Sequence, residues 1–263
     1  MSNETITSME SGDIQIWDVN VQVIGCDNCD KTFLITKSEP AICPLCGKAG
    51  LNSRSAVLRT EPPELIIPHQ IDNTRLLSIY NTFTKGVYFK PDSFSSETLK
   101  KNAFRLFFPM WLVDGNVFGS WKAEAGYDYQ VKSSQEFYSG SQWQSREKLE
   151  TRIRWEPRLG QIRRHYDNVV TPAIQNMEKL QQAIGSYAYN QAQSFNPANL
   201  KESLIRVPDL LPKTLQGNAE KAMDQLASKD CSNACEAQHI RNFSINAEYQ
   251  ELNWTQFLLP VYV

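Results

Sequence analysis

The sequence predicts an α+β protein: an N-terminal four-cysteine zinc ribbon followed by a larger antiparallel-sheet domain with inserted helices. Three observations predict it. Four of the six cysteines fall in two Cys-x-x-Cys pairs, Cys26-Asp-Asn-Cys29 and Cys43-Pro-Leu-Cys46. Long stretches alternate apolar with polar residues at the period of a strand. The helical stretches fall between these strands without the regular strand-helix alternation of a doubly wound fold.

Residues 1–13 read as a polar tail. Ile14 to Ile24 alternates as a half-buried strand and runs straight to Cys26. The zinc ribbon is expected over residues 14–60, with Lys31 to Thr36 as the strand between the two cysteine pairs. Gly47 suits the left-handed conformation that a tight cysteine turn requires. Pro62-Pro63 fixes an extended backbone, so residues 61–64 read as a linker and residues 65–263 as the α+β sheet domain.

Beyond the linker, Glu64 to His69 predicts a short strand. Asp72 to Lys85 predicts a helix with Leu76, Ile79, Tyr80 and Phe83 on one face and Gly86 as its stop. Phe104 to Val131 is sheet, with Asp114-Gly115 either turning a hairpin or breaking a long strand at a bulge. Thr151 to Glu156 and Gly160 to Val170 predict further strands. Thr171-Pro172 offers an N-cap and a first-turn proline for a helix reaching toward Asn190, with Ile174, Met177, Leu180, Ile184 and Tyr187 inward. A long helix from about Asn218 to Arg241 follows, then Asn242–Gln250 and Trp254–Val263 as a closing hairpin.

The cysteine pairs carry the clearest chemistry. Thirteen residues separate them, and each two-residue gap lets a pair curl into a knuckle, so that two knuckles present four thiolates to one tetrahedral ion at about 2.3 Å. Cys26, Cys29, Cys43 and Cys46 are therefore expected to hold one Zn²⁺. Four thiolates leave no open position for water, which makes the zinc structural. Side chains over residues 14–59 sum to +1, and four thiolates on a divalent ion add about −2. That balance favours protein contact or pure structure over phosphate binding in the ribbon.

Basic charge concentrates elsewhere. Residues 146–164 carry a net +4, with Arg152, Arg154, Arg158, Arg163 and Arg164 beside Trp143, Trp155 and Tyr166. Arginine interleaved with rings is how single-stranded nucleic acid is held. The same pattern also describes a solvated strand face whose arginines pair with neighbouring acids or stack on cross-strand rings. On the long helix, Cys231, Cys235 and His239 fall at i, i+4 and i+8. They read either as a second metal site or as an extension of the stripe Ala219, Met223 and Ala227. His165 with Asp167, and the acids Asp114, Glu124 and Asp128, are the candidates for acid-base work in a sheet cleft.

The chain carries in order the two cysteine pairs with Gly47, Leu65-Ile-Ile-Pro-His69, Tyr88-Phe-Lys-Pro91, Phe108-Pro-Met-Trp-Leu-Val-Asp114, Arg164-His-Tyr-Asp-Asn168 and Leu258-Leu-Pro-Val-Tyr262. This order of features resembles a widespread family of bacterial zinc-ribbon proteins of unknown function. Proteins of this family are often labelled primosomal-protein or helicase-like, or as containing a zinc ribbon similar to that of transcription factor B. The resemblance covers the chain from about residue 20 onward and implies the ribbon fold and its zinc. No nucleotide-binding motif accompanies it to support a helicase motor.

The formal charge of −2 over 263 residues supplies no global attraction to nucleic acid or to an anionic membrane. The opening residues lack a basic start and an apolar run, and no apolar stretch is long enough for an integral membrane segment, so the expectation is cytoplasmic. Nucleophile elbows, phosphate loops, dinucleotide turns and metalloprotease helices are absent from the sequence. The function expected is a non-enzymatic protein-interaction or assembly module stabilised by a structural zinc ribbon, with a protein partner. The alternative is a nucleic-acid-binding accessory factor using the basic aromatic strand face from Arg152 to Arg164.

Overall fold

The computed structural model of the chain describes residues 6–9, 13–36, 40–91, 94–176, 189–200 and 202–263. The molecule is mostly sheet. Its strands are β1 (Ile6–Met9), β2 (Asp13–Ile16), β3 (Val19–Cys26), β4 (Thr32–Ile35), β5 (Leu51–Ser53), β6 (Ala56–Arg59), β7 (Leu65–Ile66), β8 (Arg105–Ser139), β9 (Gln142–Pro172), β10 (Gln193–Ser194), β11 (Leu204–Arg206) and β12 (His239–Tyr262). The α-helices among the described residues are α1 (Asn73–Lys85), α2 (Ser96–Lys101) and α3 (Pro212–Ala234).

Ten strands join in the order β10-β7-β12-β8-β11-β4-β3-β2, with β5 on β3 and β9 on β8, while β1 pairs β6 separately. The expected antiparallel sheet is in fact mixed. β11 runs antiparallel to β4 but parallel to β8, and β7 runs parallel to β12. The reason is connectivity: the parallel partners, β8 with β11 and β7 with β12, lie far apart in sequence, and long intervening chain places a strand in either direction, whereas tight turns allow only reversal.

The chain divides into two compact units. The first holds residues 1–112, 170–215 and 254–263, so the segment 14–60 and residues 65–112 belong to the same unit. Its central strands are buried on both faces, with Phe33 and Leu106 in one apolar cluster and Val23, Ile66, Phe107 and Leu258 in another, all almost inaccessible to solvent. Trp17 and Asp18, both at positive φ, turn β2 into β3, the backbone handedness that matches strand twist in a two-residue hairpin. In α1 the Asp72 carboxylate accepts from the Arg75 N–H at 2.7 Å, the expected cap. Of the four residues on its expected apolar face, Leu76 is buried while Ile79 and Phe83 are exposed.

The second unit holds residues 113–169 and 216–253. Asp114-Gly115 neither turns nor ends β8. Gly115 is there for close approach, since a Cβ at that position would stand 2.5 Å from Leu252 Cδ2 and 3.0 Å from Met223 Cε. The reversal comes at Gly140-Ser141, both at positive φ, so one strand pair replaces the several shorter strands expected. β12 is likewise one strand and not a hairpin. Glu251 has φ 56°, and such a single left-handed residue makes a bulge without reversing the chain. Thr171 and Pro172 end β9 instead of opening a helix; the body of that expected helix, with Met177, Leu180, Ile184 and Tyr187, lies outside the described residues.

Helix α3 starts six residues earlier than expected and stops at Ala234. Glu236 at φ 48° takes the left-handed position beyond its end, a common terminator. Ala219, Met223, Ala227 and Cys231 form its buried stripe, and Cys235, just past its end, is buried too.

Candidate metal centre

β3 delivers Cys26 to the end of a strand, where a turn begins. The Cys26 N–H donates to the Lys31 carbonyl at 3.0 Å and the Asp30 N–H donates back to the Cys26 carbonyl at 2.9 Å, with Asp30 at φ 55°. The second pair repeats the arrangement: the Cys43 N–H donates to Ala49 O at 2.8 Å and the Gly47 N–H to Cys43 O at 2.9 Å, with Gly47 at φ 62°. The left-handed Gly47 is the one the sequence assigned.

These two turns face each other and bring all four sulfurs within 4.8 Å of one another. Cys26 Sγ lies 3.6 Å from Cys46 Sγ, and Cys29 Sγ lies 3.7 Å from Cys43 Sγ. Such separations are far longer than a disulfide bond. They match the edge of a sulfur tetrahedron around an ion with bonds of about 2.3 Å, for which geometry gives about 3.8 Å. Cys26 and Cys43 are buried and Cys29 and Cys46 half-buried, and the four together form a group that could hold a metal ion. Burial pushes the Cys29 thiol up to about 12 and raises Cys43, while the Lys48 backbone N–H brings Cys46 down to about 6. A divalent cation among them would stabilise all four as thiolates together.

A layer of charged groups braces the turns. Arg54 reaches Asp30 at 2.5 Å and Asp27 at 3.2 Å, and Asn52 donates to Asp27. Gly25 makes room for that arginine, because a Cβ there would meet its Cδ and Nε at 2.7 Å. On the other side Lys31 pairs with Asp209 at 3.2 Å, and Asp209 pairs with Arg206 at 2.5 Å. Arg206, with 2% of its side chain exposed, also donates to the carbonyls of Thr32 and Val207. Sequence reading missed Arg206 and Asp209 because they lie far along the chain, and counted Arg54 only within the charge sum over residues 14–59. Gly25 directly before Cys26 was the available signal.

The second metal group does not assemble. His239 lies on β12, and its Nε2 bonds Asp128 at 2.8 Å, while Cys231 on α3 and Cys235 just past its end stay buried, with the Cys235 thiol donating to the Cys231 carbonyl. Of the acid-base candidates, His165 and Asp167 come together, whereas Asp114, Glu124 and Asp128 go to other partners. His165 Nε2 meets Asp167 at 2.9 Å and its Nδ1 meets Asn116 at 2.8 Å; Asp114 accepts from the Asn168 N–H, and Glu124 pairs with Arg241.

Each of the five arginines from Arg152 to Arg164 has an intramolecular partner. Arg152 meets Glu150 at 3.6 Å, Arg154 meets Glu156 at 2.9 Å, and Arg158 meets Glu156 at 3.1 Å and lies over the Tyr127 ring. Arg164 pairs with Asp230, and Arg163 lies over Phe118. Arg152, Arg154, Arg158 and Arg164 share one face of β9, and Arg163 occupies the opposite one.

Beyond Asp128, where β12 begins alongside at His239, β8 and β9 continue as a ribbon in which every residue from Ser134 to Leu149 is exposed. Three contacts set its faces: Ser133 with Glu150 at 3.0 Å, Lys132 with Glu147 at 3.7 Å, and the Tyr138 and Trp143 rings at 5.5 Å. Even residues of β8 therefore share a face with odd residues of β9. On that face stand Tyr138, Trp143, Leu149 and Ile153, all exposed.

No helix among the described residues is long and apolar enough to cross a membrane. No family model, curated protein or solved structure matches the chain.

Proposed function

We propose that the chain is a non-enzymatic assembly module in which a structural zinc ion holds the Cys26–Cys46 region and a protein partner docks on the β8–β9 ribbon. The tetrahedral spacing of four mostly buried sulfurs carries the zinc reading. Thiolate softness and the closed coordination sphere favour Zn²⁺ in a structural role over a catalytic ion. The family that the motif order resembles rests on those residues alone.

The partner reading is supported by the ribbon's exposed side chains. Ordering a strand pair with no buried face gains no hydrophobic stabilisation, and exposed rings such as Tyr138 and Trp143 are the residue types that anchor protein interfaces. The His165–Asp167 pair stands on an exposed strand face, which supports binding over catalysis, and a cytoplasmic setting suits reduced cysteines.

Two measurements test this reading. Elemental analysis of the purified chain is expected to find one zinc, and none in Cys43→Ser; a different metal or no metal in the unaltered chain overturns the zinc assignment. Affinity capture from native extract, compared with Trp143→Ser/Leu149→Ser, is expected to lose its specific protein partner in the variant. Identical capture by both overturns the docking assignment.

A further inference from the structure

The opposite face of the ribbon differs in kind. It carries odd residues of β8 and even residues of β9. Between residues 127 and 158 that face holds Arg146, Lys148, Arg152, Arg154 and Arg158 against Glu150 and Glu156, a net +3. The apolar face over the same residues holds Lys132 against Asp128, Glu136 and Glu147, a net −2. A thin ribbon thus separates opposite charges on its two sides.

We infer that the basic face binds single-stranded nucleic acid, with Arg146 and Lys148 on phosphates and Tyr129 and Phe137 as stacking surfaces for bases. Arg146 and Lys148 have no acid within ion-pair distance among the described residues, so they meet a phosphate without first breaking an internal pair. Their neighbours Arg152 and Arg154 are held by Glu150 and Glu156, which fixes their guanidinium groups along the strand while leaving the face positive. Tyr129 and Phe137 are both exposed and stand on the β8 side of the same face, interleaving rings with cations.

That combination favours single strands over duplexes, because a duplex keeps its bases stacked away from protein rings. It also favours nucleic acid over an acidic peptide, which gains from the cations but has no flat surface to lay on the rings. The inference concerns the face opposite the one proposed for the protein partner, so the two stand or fall separately.

The test is fluorescence anisotropy of a labelled oligothymidylate with the full chain across a salt series. The account expects binding at low salt whose logarithm falls linearly with the logarithm of salt, by about 0.7 per phosphate contacted. Arg146→Glu/Lys148→Glu is expected to weaken it roughly tenfold or more and to flatten that slope. Tyr129→Ala/Phe137→Ala is expected to weaken it about tenfold with the slope unchanged. Trp143→Ser/Leu149→Ser, on the other face, is expected to bind normally. All these positions are exposed, and circular dichroism confirms that each variant folds. Absence of binding by the unaltered chain at low salt overturns the inference, as does binding unchanged by the charge reversal. Unchanged affinity in the ring variant, with polyglutamate displacing the oligonucleotide equally well, reassigns the face to acidic protein and overturns it too.

Discussion

Arg206 and Asp209 form a 2.5 Å ion pair in the first unit, and Asp209 extends it to Lys31 within the turn that ends at the cysteine cluster. The pair joins a strand of the sheet to the turn that carries Cys26 and Cys29. Burial works to raise the Asp209 carboxyl, but the charge and hydrogen bonds of Arg206 and those of Gln175 and Lys31 outweigh it and hold it below its ordinary value.

Removing one member of such a pair leaves the other charge buried. Arg206→Ala is expected to destabilise the first unit by about 3–5 kcal/mol, read as a lower denaturant midpoint. Arg206→Met, which keeps packing against Phe33, is expected to cost as much while Asp209 is retained and much less in combination with Asp209→Asn and Lys31→Met.

The depressed Asp209 carboxyl also sets a pH dependence. A group whose folded pKa is lowered stabilises the fold above its unfolded value, and that stability is lost as pH falls from about 3.8 through the lower folded value. Asp209→Asn is expected to be less stable than the unaltered chain at neutral pH and to lose less on acidification below 3.8, measured by denaturant unfolding at several pH values.

His69 contributes at higher pH. Its ring packs against Phe107 at 4.6 Å and Tyr262 at 5.1 Å, and neither ring nitrogen has a hydrogen-bond partner among the described residues. Burial, with Arg105 adding to it, lowers its pKa from 6.5 to about 4. The unfolded chain therefore takes a proton that the folded chain refuses, so stability is complete above pH 6.5 and falls on the way to pH 4, by roughly 2–3 kcal/mol. His69→Phe is expected to flatten that limb of the stability curve; an unchanged limb would show that the histidine does not set it.

The cysteine knuckles were legible because their chemistry is local: a two-residue gap and a following glycine are enough. The strands were legible as pattern but not as length, since Gly115 reads equally as a turn and as a point of close packing until Leu252 and Met223 are in place. His239 looked helical by spacing because α3 carries no sequence mark at Ala234 stronger than the left-handed Glu236. The Arg206–Asp209–Lys31 brace spans most of the chain, and no local pattern encodes a partner so distant.

The ribbon beyond residue 133 buries nothing, so it adds little to stability. Replacing residues 134–147 by Asn-Gly, which keeps Ser133 opposite Lys148, is expected to leave the thermal midpoint within a few degrees while abolishing partner and oligonucleotide binding. A large drop in the midpoint would mean that the ribbon is covered within the molecule.

The central claim is that a metal ion holds the two cysteine turns closed. Hydrogen exchange of the Cys43 and Gly47 amides, which donate to Ala49 O and Cys43 O, reads this directly when a chelator is titrated into the metal-loaded chain. The account predicts that both amides, together with those of β3 and β4, lose protection in step with metal release. Amides that stay protected in metal-free, reduced protein would contradict it.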